Sequence, residues 1–143
     1  MFHIEQLQFI NAPAAKVYEA LTTQEGLGAV WTNKLIVRPG LGAVNEFDFN
    51  DNYATKMEVA ELEENKHILW KCISDADPEW GGTSVLFDLS EKNGVTTVDF
   101  RHLNWREVSR CYRSCNYNWA MFLFSLKSYV EDGQGLNFQQ RKW

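Results

Sequence analysis

Residues 95–133 read VTTVDFRHLNWREVSRCYRSCNYNWAMFLFSLKSYVEDG, and the hydrophobic pattern changes its period partway along. From Val95 to Leu103 the residues alternate, with Val98, Phe100 and His102 on one face. A period of two predicts a strand with one side buried. From about Arg110 to Asp132 the period becomes helical. Tyr112, Cys115, Trp119, Phe122, Leu123, Leu126 and Tyr129 recur at steps of three and four, which puts them on one stripe of a helix. Gly133 follows where a left-handed cap is expected. A long amphipathic helix entered from a strand has to bury its stripe, and an adjacent sheet face is the economical place.

Upstream of this junction the period of two extends back to about Asn33. Val44 to Phe49, Tyr53 to Leu62, His67 to Ile73 and Ser84 to Ser90 also read as strands. Turn chemistry separates them: Arg38-Pro39-Gly40, Asn50-Asp51-Asn52, the run 63–66, Asp77-Pro78 with Gly81-Gly82, and Lys92-Asn93-Gly94. Asn93-Gly94 is the strongest hairpin signal. Ahead of the meander, His3 to Ile10 predicts a first strand, and Pro13 suits the opening turn of a helix. Val17, Ala20, Leu21 and Leu27 give the following region an apolar stripe, and Gly26 and Gly28 are expected to split it into two short helices. The whole, residues 1–143, reads as one α+β domain.

Composition narrows the function classes. Six Trp and nine Phe among 143 residues require a core that accommodates large flat groups. A net charge of −5 argues against nucleic acid and anionic membranes as partners, because phosphate binding needs clustered Lys and Arg. The one basic cluster, Arg141-Lys142, reads as a short tail. Neither a spanning apolar run nor a secretion signal is evident, so a cytoplasmic location is expected. The three cysteines Cys72, Cys111 and Cys115 cannot all pair within one chain and are expected to be free thiols.

Several stretches together resemble the START-like, helix-grip superfamily, which includes the birch-pollen allergen and polyketide cyclases. Within it the chain is most similar to the branch named after the activator of the heat-shock chaperone ATPase. The stretches are APAAKVYEALTTQEGLGAVWT (12–32), RPG followed by FDF (38–40 and 47–49), MEVAELEENKHILWKC (57–72), GTSVLFDLSEKNGVTTVDFRH (82–102) and NWAMFLFSLKSYVEDGQG (118–135). The chain departs from the branch in having Val30-Trp31 where paired tryptophans are usual, and Asn118 where a glycine is usual. The resemblance implies a seven-stranded antiparallel sheet curved around the C-terminal helix, two short helices after the first strand, and a cavity between sheet and helix.

With that frame, alternation assigns faces. Val85, Phe87 and Leu89 should face the helix with Val98, Phe100 and His102, with Ile68, Trp70 and Cys72 beyond them. Phe47 and Phe49 join from the earlier strand, and Trp31 sits near the expected mouth. The candidate ligand-binding residues are therefore Trp31, Phe47, Phe49, Trp70, Phe87, Phe100, His102, Tyr112, Trp119 and Phe122. His102 could serve as acid, base or hydrogen-bond donor. Its structural alternative is a ring satisfied by a backbone carbonyl or by the Tyr112 hydroxyl. Cys111 and Cys115 have a permissible metal spacing, completed by Cys72 or His102, but buried thiols are the expected state and no metal is assigned. Asp75, Asp77 and Glu79 lack the glycine and spacing of a calcium loop. His3 and His67 read as ordinary strand-end residues. No phosphate-binding glycine loop, nucleophile elbow or zinc-protease helix occurs, so no cofactor is expected.

Three functions compete. The favoured one is binding of a small apolar or aromatic ligand, without established catalysis. A protein-interaction module, with a chaperone as partner, and a cyclase or hydratase resting on His102 and Tyr112 are the alternatives.

Overall fold

The chain lays down one edge of a sheet, crosses to the opposite edge, and then fills in the middle. The computed structural model describes residues 1–74 and 78–142. Its strands are β1 (Phe2–Ile10), β2 (Lys34–Ile36), β3 (Val44–Asp48), β4 (Ala54–Glu63), β5 (His67–Cys72), β6 (Ser84–Lys92) and β7 (Val95–Trp105). Helices α1 (Ala14–Thr22) and α2 (Gln24–Val30) follow β1, and α3 (Arg110–Asp132) follows β7. A 3-10 turn, Phe138–Gln140, lies near the C-terminus. The seven strands run in the order β1-β7-β6-β5-β4-β3-β2, and every neighbouring pair is antiparallel. Helices α1 and α2 therefore carry the chain from one sheet edge to the other, and α3 packs across the inner face. This is a helix grip.

Local chemistry explains the boundaries. Asn93 and Gly94 both take positive φ, 53° and 77°, which is what a two-residue turn between Lys92 and Val95 demands. Ser109 caps α3 by accepting the Tyr112 N–H at 3.0 Å, and Gly133 closes the helix at φ 81°. The paired strands keep the expected faces: Val85 lies opposite His102, Phe87 opposite Phe100, and Leu89 opposite Val98. Each of these six side chains is buried. The short edge strand β2 offers too few residues for alternation to single it out.

One expectation needs correcting. The break between the short helices falls at Thr23, not at the glycines. The Thr23 hydroxyl accepts the Gly26 N–H at 3.1 Å and so caps α2, leaving Gly26 and Gly28 inside that helix. Gly26 has a different purpose. A Cβ there would run into the backbone of Ala20, so its absence is what lets α2 fold back against α1. Gly28 meets only a Leu35 methyl, at 3.5 Å.

These two glycines should respond oppositely to alanine. Gly26→Ala forces the helices apart and should cost ~1–3 kcal/mol, the usual range for overpacking. Gly28→Ala should gain ~0.5–1 kcal/mol by removing glycine from a helix interior. Urea unfolding of both variants checks this, and equal effects would show that the α1–α2 approach is not tight.

Candidate functional site

Between α3 and the sheet the space is filled by rings. Trp31 touches Phe47, Phe49, Trp70, Trp119 and Phe122, with centroids 4.5–5.9 Å apart. Phe87 bridges Trp70 and Phe100 at 5.1 and 5.3 Å, and Phe100 meets Trp119 at 4.6 Å. Tilted and edge-on contacts dominate, the arrangements that ring quadrupoles favour. Phe47, Trp70, Phe87, Phe100 and Phe122 are all at most 1% exposed. They form the floor of the interior rather than the wall of a void.

A pocket opens beside this floor. Its volume is about 180 Å³, and its apolar walls are Trp31, Phe49, Trp80, Trp119 and Phe138, with Cys115 at one side. Its polar members are Asn118 and Arg141. Of the ten predicted binding residues, Trp31, Phe49 and Trp119 line the pocket. Six more lie outside the lining: the five rings just named and His102. Tyr112 is turned away, edge-on to Trp105 at 5.3 Å, with its hydroxyl donating to the His3 carbonyl at 2.8 Å.

His102 is fully buried, and its partners differ from those expected. Its Nδ1 accepts from the Trp119 indole N–H at 3.0 Å, and its Nε2 lies 2.8 Å from the Thr83 hydroxyl. An indole nitrogen can only donate, so the network assigns the ring proton to Nε2. Nε2–H then donates to Thr83 Oγ1, whose own proton goes to the Trp80 carbonyl at 2.6 Å. The Tyr112 hydroxyl plays no part because β1 has captured it. Both ring nitrogens are engaged, so this imidazole positions Trp119, Thr83 and the Trp80 loop. Burial holds it neutral, lowering its pKa from 6.5 to about 3.

Cys111 and Cys115 lie with their sulfurs 3.7 Å apart, and burial followed by this neighbour raises the Cys111 pKa. No disulfide joins the cysteines to one another among the described residues. Among the described residues no group of three His, Cys, Asp or Glu side chains is placed to hold a metal ion. Asp75 and Asp77 lie outside the described residues, while Glu79 accepts from the Ser109 hydroxyl at 2.5 Å. Also among the described residues, no helix is long and apolar enough to cross a membrane.

Three wall residues, Trp80, Phe138 and Arg141, lay beyond the sequence reading. Arg141 is the sharpest correction: it is no solvated tail but 7% exposed. Its Nε donates to the Leu136 carbonyl at 2.8 Å and its Nη2 to the Val30 carbonyl at 3.1 Å. Phe138 N–H reaches the Trp31 carbonyl at 2.6 Å, and Asn137 Nδ2 reaches Gly28 O at 2.9 Å. The tail thus satisfies carbonyls at the C-terminal end of α2, groups that a helix cannot pair internally. Such side-chain-to-backbone stitching leaves no periodic trace. The capping pair Asn137 and Gln140 was its only visible sign. His67 does open a strand, β5, as expected, and there it bridges Asp88 and Glu61 at 2.5 and 2.8 Å.

The two histidines give stability opposite pH dependences. Unfolded, His102 takes up a proton near pH 6.5; folded, only near 3. Between those values the unfolded state binds more protons, so stability falls on acidification by up to ~1.4 kcal/mol per pH unit. His67 is raised by its Asp88 bond first and its Glu61 bond next, against partial burial. Its contribution is present below its ordinary pKa of 6.5 and fades as pH rises through the higher folded value. Urea unfolding between pH 6 and 4 should therefore show a decline that His102→Gln reduces. An identical decline in that variant would exonerate the imidazole.

Similarity to known proteins follows this geometry. The family described as activator of Hsp90 ATPase homolog 1-like protein matches residues 11–131. No curated protein matches the chain. Among solved structures, the Aha1 dimer from Colwellia psychrerythraea is 36% identical, with a TM-score of 0.87 over 94% of this chain and 100% of that one. A Staphylococcus saprophyticus protein at 18% identity has a TM-score of 0.78, covering 96% and 99%. A Mesorhizobium loti protein at 20% has 0.77, covering 92% and 98%. The last two share the fold alone.

Proposed function

The chain belongs to the family of activator of Hsp90 ATPase homolog 1-like proteins, and from that premise we propose that it is a binding module whose pocket accepts one small flat apolar group. The observation that carries this is the aromatic-walled pocket of about 180 Å³. An apolar cavity of about 150 Å³ is enough for benzene, so the fit is to one ring or a fused pair. Such a ring buries on the order of 200 Å² and gains ~5 kcal/mol before association costs, so its dissociation constant is about 0.2 mM at the tightest.

Indole and naphthalene are suitable probes. Either should shift the indole N–H resonances of Trp31, Trp80 or Trp119 in a saturable way. Cys115→Phe or Asn118→Phe should abolish the shift by filling the pocket, with the unfolding curve preserved. Unmoved resonances under saturating probe would end this reading.

A second reading has its own observation. Tyr117 and Phe124 are 65% and 61% exposed and stand seven residues apart on α3, hence on one side of it. Exposed apolar groups of this kind suit a protein partner, either a heat-shock chaperone of the class in the family's name or a second copy, as in the Colwellia dimer. If so, the double substitution Tyr117→Lys, Phe124→Lys should weaken capture by an Hsp90-type chaperone or shift the sedimenting mass to that of a monomer. A monomeric wild type with no chaperone binding would dismiss it.

A further inference from the structure

The pocket has one member that a purely apolar guest leaves unexplained. Arg141 is buried, yet among the described residues no carboxylate forms an ion pair with it. Buried charges are normally paired, because desolvation is otherwise uncompensated. Two backbone carbonyls take two of its N–H groups. A guanidinium carries five, so three have no partner among the described residues. One of the two carbonyls, that of Val30, also accepts the Ser125 hydroxyl at 2.9 Å. Burial lowers the Arg141 pKa only to about 10, so the group stays cationic at neutral pH.

The rest of the wall tells what can approach. Trp31, Trp119 and Phe138 offer aromatic surface, and Asn118 is a second polar side chain in the lining. We infer that the guest is a small aromatic carboxylic acid, its ring against the indoles and its carboxylate on Arg141. This rests on the pocket being the ligand site proposed above, and it names the chemical class. A planar guanidinium matches a carboxylate through paired N–H bonds, a fit that a lysine cannot reproduce. The chain's net charge of −5 does not draw anions from a distance. Selectivity must then arise at contact range, inside a desolvated pocket where added salt screens weakly.

Benzoate and benzamide differ in charge but hardly in shape, and titrating each into the full chain at pH 7 separates the two ideas. We expect benzoate to bind at least tenfold more tightly than benzamide, and Arg141→Met to close that gap while benzamide still binds. In the wild type the Arg141 Nε–H resonance should move with benzoate only, and the Trp119 indole N–H with both. Those resonances decide the matter even where Arg141→Met does not fold. Equal affinities, with both compounds moving Trp119, overturn the acid and leave the ring pocket standing. If neither compound moves Trp119, both ideas fall. A benzoate preference that survives in Arg141→Met places the anion elsewhere and overturns this inference too.

Discussion

A single hydrogen bond, from the Trp119 indole to His102 Nδ1, ties the long helix to the inner face of β7, the strand beside the β1 edge. The Trp119 and Trp80 walls of the pocket depend on it. Because the indole can only donate, the imidazole proton is forced to the other nitrogen, and that nitrogen must find an acceptor. Thr83 supplies it and passes its own proton to the Trp80 carbonyl. Trp80 is thereby held nearly parallel to Trp119, with centroids 6.0 Å apart and planes 19° from each other. Helix, strand and loop are thus placed by a chain in which each donor has one acceptor, and two walls of the pocket follow from it. Removing any link leaves a buried polar group unpaired, at a cost of roughly 1–3 kcal/mol.

How much of this was legible depends on the physics behind each part. The sheet and α3 were, because burial against one face imposes a period. Alternation put His102, Phe100 and Val98 on the inner side, and cross-strand pairing with Val85, Phe87 and Leu89 agrees. Trp119 and Phe122 were identified by helical spacing for the same reason. The helix break was misplaced because glycine has two uses. At Gly26 it permits close approach inside a helix instead of ending one, and only the position of Ala20 reveals which. The tail was not legible at all. Phe138 and Arg141 are held by bonds to the backbone of α2, which impose no repeat on residues 134–142. Trp80 sits in a turn, where neither period applies.

Family and fold are firm here while the chemistry of the pocket is local. Proteins only 18–20% identical share the architecture across more than nine-tenths of this chain, which illustrates how far a helix grip can be kept while its side chains change. The departures noted in the sequence show where this chain differs. Asn118 lines the pocket, adding an amide to a lining that is mostly aromatic. Val30 is wholly buried, and its carbonyl receives both Ser125 and Arg141.

The strand order also governs how the molecule assembles in time. Strands β3 to β7 neighbour one another in chain order and can zip as successive antiparallel pairs. Strand β1 must instead find β7 across most of the chain, with Phe2 opposite Trp105 and Ile10 opposite Thr96. Closing a loop of that length costs entropy before any contact rewards it. Such non-local pairing is what slows folding to the millisecond-to-second range. Strand β1 therefore docks late: φ-values along it should be small while those in the β6–β7 hairpin are larger. Until it docks, β7 is an open edge with Phe100 and His102 uncovered on one side, the moment at which a newly made chain most needs protection from its neighbours.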